Sequence, residues 1–194
     1  GGQNAAAASD LGHEVTALEL VQAAADHCRS LAGSRPGMAV LQGDFYTADP
    51  GGGFDVVCYW DGFGIGTDRE QRRLLSRFRE WLRPGGCALV DIYTPWYAAS
   101  TIGKGWQAGS ASREYGFDAE GCRWLDTWSP LDGGGAVRQS LRCYSPADLS
   151  LLLEGTGLKL VGLVAGQGPG REPGTWLDRA ELARALSYTA KLSF

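Results

Sequence analysis

The 194-residue sequence is poor in histidine and methionine, with two of the first and one of the second, Met38. Histidine chemistry therefore has little room. His13 precedes a strand and His27 falls on a helix, and neither is expected to serve as a general base. The five cysteines, Cys28, Cys58, Cys87, Cys122 and Cys143, form no CxxC pair and stand near no histidine cluster. An odd count at wide spacing argues against a disulfide framework and against a zinc site, so no metal is expected. There is no basic run. Lys and Arg number 18 against 22 Asp and Glu, a net charge of -4. That disfavours duplex nucleic acid, whose binding rests on phosphate neutralisation, and anionic membrane surfaces for the same reason. No apolar stretch approaches the ~18–20 residues of a membrane span. No charged-then-apolar leader opens the chain, so a cytoplasmic location is expected. The sequence also starts without methionine, at Gly1-Gly2-Gln3.

What is present is an ordinary core-forming composition, 44% hydrophobic and 21% charged, sized for one domain. Glycine, at 29 residues, is about twice its usual share of ~7%. The Ala-rich run at 3–11 reads as a short helix stopped by Gly12. Residues 13–20 read as a strand, 22–32 as a helix, 38–41 as a strand and 54–60 as a strand apolar on both faces. The segment 67–82 is the clearest helix. Thr67 and Glu70 form a capping box, and Leu74, Leu75, Phe78, Trp81 and Leu82 share one face. Arg83-Pro84-Gly85-Gly86 is expected to end it before a strand at 88–93.

Residues 94–143 break this alternation. Asp132-Gly133-Gly134-Gly135 suggests a hairpin between about 122–129 and 136–143. Ser145-Pro146 then opens a helix. A strand at 158–165, a loop at 166–174, a short helix at about 177–185 and an alternating strand at 186–194 complete the chain. Repeated strand-helix units point to an α/β sheet with helices on both faces.

Ligands of open α/β sheets bind beyond the carboxyl ends of the strands. Those ends carry Glu19, Asp44, Trp60-Asp61 and Asp91-Ile92-Tyr93. An acid that takes ribose hydroxyls lies about 20 residues after the first glycine of a phosphate-type loop. Glu19 follows Gly2 by 17 residues. If Gly2 is the last glycine of a G-x-G-x-G loop, the first is four residues earlier, and the spacing becomes about 21. Read as a local feature, each has a plain alternative: a tag remnant for Gly1-Gly2, a surface carboxylate for Glu19, a turn carboxylate for Asp44 and a turn residue for Asp61.

Taken together, Gly2 with its Ala-rich helix, Gly12-His13-Glu14-Val15-Thr16-Ala17-Leu18-Glu19, Gln42-Gly43-Asp44-Phe45, Phe54-Asp55-Val56-Val57, Arg83-Pro84-Gly85-Gly86 and Tyr144-Ser145-Pro146-Ala147-Asp148-Leu149 resemble the class I S-adenosylmethionine-dependent methyltransferases. The resemblance covers residues 1–94 well and 144–194 moderately. It implies a Rossmann-like, doubly wound, mostly parallel sheet with an antiparallel last strand and a β-rich insert at about 95–143, all in one domain. It implies S-adenosylmethionine as cofactor. Glu19 would take the ribose hydroxyls, Asp44 the adenine amino group and the Phe45 N–H a ring nitrogen, with Leu20 and Phe45 flanking the ring. Gly2 and Trp60 would border the methionine half.

The family's first strand and the start of its glycine loop have no counterpart in the sequence. Leaving the centre of the sheet empty would expose two strand edges, so a further N-terminal segment is expected. Methyl transfer needs alignment above all. Asp61 is the candidate for acceptor orientation or proton removal, with Asp91 behind it. Tyr93, Trp96 and Trp106 are the candidate acceptor contacts. Trp and Tyr also enrich satellite cores and homodimer interfaces, which is the other reading of the insert. Three further functions stay open on the sequence: a nucleotide-cofactor oxidoreductase, an aminopropyl transferase and a non-catalytic assembly subunit. The preferred acceptor is a small apolar or aromatic molecule.

Overall fold

The computed structural model describes residues 1–166 and 179–194, in two compact units, Gly1–Gly52 and Gly53–Phe194. Most of the loop expected at 166–174 therefore lies outside the described residues, as do the first two positions of the helix expected at 177–185. Among the described residues no helix is long and apolar enough to cross a membrane.

In the first unit, α1 (Gln3–Asp10) leads to β1 (Val15–Glu19), α2 (Gln22–Ala32) and β2 (Met38–Gln42). The two strands pair in parallel, Val15 with Met38 through Glu19 with Gln42. A parallel pair needs a crossover, and α2 supplies it. Ala6, Cys28 and Met38 form the buried centre, with Ala17, Leu31 and Val40 packed against it. Small residues let α1 approach closely. Gly2 has φ 92°, and a Cβ there would stand 2.8 Å from the Cys28 sulfur and 3.1 Å from its Cα. Arg35 clamps α1 with a two-pronged ion pair to Asp10, at 2.8 and 2.9 Å.

In the second unit, β3 (Phe54–Tyr59) runs parallel to β4 (Leu82–Tyr93), with α3 (Asp68–Trp81) between them in sequence. After an intervening segment come α5 (Pro146–Leu152), β9 (Lys159–Ala165), α6 (Arg179–Leu182) and β10 (Ser187–Ser193). The sheet order is β3-β4-β10-β9, with β10 antiparallel to both neighbours. The intervening segment holds α4 (Pro95–Ser100) and a second sheet, β5 (Gly105–Ala108), β6 (Ala111–Asp118), β7 (Arg123–Pro130) and β8 (Val137–Arg142), antiparallel throughout.

The expectation of one mostly parallel sheet is corrected. Among the described residues there are three sheets, in which only the β1–β2 and β3–β4 pairs are parallel. The long aromatic segment contributes a full sheet of its own, which short-range turns can close without crossovers. Two smaller corrections follow. Strand β3 is not covered on both faces: Val56 is 45% exposed, and Asp55 and Cys58 are exposed too. It is an edge strand of its sheet, as β1 is of its own. And Arg83–Gly86 does not separate helix from strand. Leu82 already pairs with Phe54, and the next pairing, Val56 with Cys87, takes up the extra residues as a bulge.

The core explains α3. Thr67 accepts from the Glu70 N–H and the Glu70 carboxylate accepts from Thr67 N–H, closing the capping box. Leu74, Leu75, Phe78 and Trp81 are buried, as are Val90 and Ile92 of β4 and Tyr188, Ala190 and Leu192 of β10. Gln71, also on that face, is only 1% exposed. Its amide oxygen accepts from Gly64 N–H at 3.0 Å, and its amide nitrogen donates to the Ile65 carbonyl. The loop between β3 and α3 is further held from the second sheet. Arg142 N–H donates to the Gly64 carbonyl at 2.9 Å, and the Arg123 guanidinium donates to the Gly66 carbonyl at 2.9 Å.

Gly64 is the tightest point of that loop. Its φ is 107°, and a Cβ would stand 2.2 Å from the Arg142 carbonyl oxygen. Replacing Gly64 by Ala should cost more than ~3 kcal/mol in urea unfolding, since a strained backbone alone costs about 1–3 kcal/mol. Thr67→Ala, which removes only a cap, should cost about 1 kcal/mol. Equal losses in the two variants would contradict this account of the loop.

Candidate functional site

In the first unit the two strands end on carboxylates. Glu19 is the last residue of β1, half-buried, with Leu20 exposed beside it. A Cβ on Gly1 would stand 2.8 Å from Glu19 Oε2, so this carboxylate meets bare backbone. Its charge also reaches the core: burial first, and then Glu19, push the Cys28 thiol above its ordinary value. Asp44 follows β2. One of its oxygens accepts from Tyr46 N–H at 2.8 Å, and its carbonyl accepts from Ala48 N–H at 2.7 Å. Asp44 therefore builds a turn, as its local alternative expected, while its second oxygen has no hydrogen-bond partner among the described residues. Phe45 rests edge-on against Tyr46, their centroids 4.6 Å apart.

In the second unit, Asp61 and Tyr93 come together. Asp61 follows β3 and Tyr93 ends the neighbouring β4, so the parallel pair delivers both to one end. The Tyr93 hydroxyl donates to Asp61 Oδ1. Asp61 has φ 57°, one of two non-glycine residues in the left-handed region among those described. Both residues line a cavity of about 170 Å3 with Arg113, Tyr115, Trp124 and Asp126. Gln139, Leu141 and Leu186 complete its wall.

The cavity wall is aromatic and ionic by turns. Tyr93 meets Trp124 edge-on at 5.0 Å, and Tyr115 packs against Trp124 at 4.6 Å. Arg113 Nε donates to Asp126 at 2.8 Å and Nη2 at 2.5 Å. Asp126 is 5% exposed and Arg113 half-buried, so the carboxylate is the desolvated partner of this ion pair. Asp126 raises the Arg113 pKa, chiefly through its hydrogen bonds. Burial raises the Tyr93 pKa, helped by the hydrogen bond to Asp61 and the charges of Asp61 and Asp91. Asp91 itself is raised by burial. A Ser187 hydrogen bond opposes the shift, and the Asp61 charge adds to it.

The other candidates are placed elsewhere. Trp96 donates its indole N–H to the Leu182 carbonyl at 2.8 Å and is not among the residues lining this cavity. Trp106 is 43% exposed and lines an adjoining open recess with Arg113, its ring 5.0 Å from Tyr115. Trp60 is 38% exposed. Part of the insert does form a satellite core: Ala98, Trp124 and Cys143, with Tyr93, Tyr97 and Phe117 against them. Sequence reasoning missed Arg113 and Asp126. A signal was present, since Trp124, Asp126 and Trp128 alternate on one face of β7, and an acid between two inward tryptophans needs a cation.

Two tests follow. Asp126→Ala leaves the Arg113 charge without its partner and should cost about 3–5 kcal/mol in urea unfolding, whereas replacing both residues by apolar ones should cost less. Asp91 has a folded pKa above its unfolded one, so the fold favours its protonated form. That advantage is complete below the unfolded value and is lost as pH rises through the folded one. Asp91→Asn should therefore melt higher than the parent at neutral pH, and the gap should close below about pH 3.5. Thermal melts across that range decide it.

Residues 1–86 match the family model described as a methyltransferase domain. No curated protein sequence matches significantly. Among solved structures, the CcbJ methyltransferase from Streptomyces caelestis is 22% identical with a TM-score of 0.74, the alignment covering 95% of this chain and 76% of that one. The glycopeptide N-methyltransferase MtfA, solved with S-adenosyl-L-methionine, is 19% identical with a TM-score of 0.63, over 95% of this chain and 79% of that one. CalS10, an amino pentose methyltransferase from Micromonospora echinaspora, is 19% identical with a TM-score of 0.59, over 94% and 75%. Residues 1–86 thus match a methyltransferase-domain model, and the chain shares its fold with solved methyltransferases.

Proposed function

We propose that the protein transfers a methyl group from S-adenosylmethionine to a small-molecule acceptor. Residues 1–194 act as one methyltransferase domain in the cytoplasm, and the insert at about 95–143 carries the acceptor side. The observation behind this reading is the pair of carboxylates closing β1 and β2 inside the segment that matches a methyltransferase domain. The neighbours that act on a glycopeptide and an amino pentose support a small-molecule acceptor over nucleic acid.

The residues of the first unit suit this cofactor. Glu19 faces the backbone of Gly1, where any side chain would collide with it. A carboxylate beside open backbone can accept from two vicinal ribose hydroxyls. The free oxygen of Asp44 can accept from the adenine amino group, the Phe45 N–H would meet a ring nitrogen, and Leu20 and Phe45 offer apolar cover for the ring. The positive φ of Gly2 turns the chain into α1 without a side chain, leaving room for the methionine half. When bound, the cofactor supplies an electrophilic methyl group on a sulfonium. The protein's part is to hold the acceptor in line, exclude water and remove a proton where the acceptor carries one. Asp61, which accepts from the Tyr93 hydroxyl, is the candidate for the last task.

Calorimetry with S-adenosylhomocysteine tests the cofactor half. The full chain should bind it, and should not bind a nicotinamide dinucleotide. Glu19→Ala and Asp44→Ala should each weaken binding by about 1–3 kcal/mol, the cost of an unmade polar contact. Parent-like affinity in both variants would refute the assignment.

A further inference from the structure

We infer that the cavity beside Asp61 recognises an amine in its ammonium form, so that the acceptor is an amine rather than an alcohol or a carbon nucleophile. The inference takes its catalytic meaning from the methyl-transfer reading, but the recognition itself rests on the cavity. Three features carry it.

The first is charge. Two carboxylates and one guanidinium line the cavity. Arg113 is committed to Asp126 through hydrogen bonds from two of its nitrogens. Among the described residues no Lys, Arg or His pairs with Asp61, whose one side-chain hydrogen bond comes from Tyr93. The wall thus carries one negative charge without a cation, and its second oxygen remains to accept from a bound molecule.

The second feature is the rings. Tyr93, Tyr115 and Trp124 stand edge to face or tilted around Trp124 and line the same cavity. Aromatic faces attract a cation, and more strongly when it is desolvated. An alcohol would gain little from them.

The third feature is the backbone at Asp61. A glycine would hold φ 57° without strain. Asp tolerates this region better than most residues, yet still at a cost. Spending that cost on a carboxylate at the mouth of an aromatic cavity has no return in packing, because Asp61 is exposed. It has one in recognition. For a bound ammonium to become a nucleophile, one N–H bond must break with its electrons left on nitrogen. The proton passes to Asp61, which faces solvent and can release it.

The test uses the full chain and a matched pair of probes, benzylamine and benzyl alcohol, titrated by ligand-observed NMR at neutral pH. The amine should bind at least ~10-fold more tightly than the alcohol. Asp61→Asn, which keeps the shape and suits the left-handed backbone, should bring the two within about twofold of each other. Asp61→Gly should do the same while melting no lower than the parent, which separates lost charge from lost fold. Equal binding of the two probes to the parent, or a preference that survives Asp61→Asn, overturns the inference. S-adenosylhomocysteine calorimetry runs in parallel. Cofactor binding without amine preference removes this inference and leaves methyl transfer standing. Amine preference without cofactor binding supports the amine site and removes the methyl-transfer reading.

Discussion

Gln71 is a neutral amide buried on the apolar face of α3, among Leu74, Leu75 and Phe78, and burying an unmet amide costs several kcal/mol. It is met by the backbone of the loop that precedes its own helix, at Gly64 and Ile65. That loop is thereby tied to α3, and the strand bearing Asp61 ends where the loop begins. Arg142 and Arg123 of the antiparallel sheet close the other side of the same turn at Gly64 and Gly66. One glycine accepts this crowding. The second sheet and the loop after β3 are thus coupled through one main-chain hydrogen bond, from Arg142 N–H, and one from the Arg123 guanidinium, both satisfying backbone carbonyls. The cavity exists because Asp61 and Tyr93 from one sheet and Arg113, Tyr115 and Trp124 from the other are held at this seam.

Where the local sequence is self-sufficient, the elements could be read directly. The capping box at Thr67 and Glu70, the apolar face of α3, the Ser145-Pro146 helix start and the hairpin around Asp132-Gly133 each rest on residues a few positions apart. What escaped were α4 and the β5–β6 pair. Gly109-Ser110 is a weak turn signal beside Gly133-Gly134-Gly135, and β6 mixes arginine, glutamate and aromatics because one of its faces packs and the other is open. The mostly parallel sheet was an extrapolation from repeated strand-helix units. It failed outside the aromatic segment, which the sequence already sets apart as a β-rich insert: the remaining strands form two sheets, and β10 lies antiparallel to both β4 and β9.

The site divides along the same line. Glu19 and Asp44 stand at strand ends, and a strand end is visible from the strand. Asp61 and Tyr93 could be named for the same reason, since parallel neighbours place their last residues side by side. Trp96 and Trp106 were chosen by residue type and by their place in the insert after β4, and neither says which way an indole faces. Trp96 is spent on the Leu182 carbonyl. Arg113 and Asp126 are 13 positions apart and become partners only through the β6–β7 register, in which Arg113 lies opposite Trp128 and Asp126 opposite Tyr115.

That ion pair also decides what Asp61 can do. The buried Asp126 carboxylate carries a desolvation cost, and the half-buried Arg113 guanidinium offsets it without adding much stability. Their value here is electrostatic order. Were Arg113 free, it would attract the Asp61 carboxylate across the cavity and present a cation to any ligand. Held by Asp126 through two of its nitrogens and stacked near Trp128 at 4.5 Å, it is neutralised in place and becomes part of the wall. Asp61 is then the unpaired carboxylate on the cavity wall. Tyr93, whose proton is held firmly by burial and by the neighbouring acids, donates to one oxygen of Asp61 and leaves the other exposed. The result is a single directed acceptor backed by aromatic faces, the arrangement on which the proposed preference for a cationic nitrogen rests.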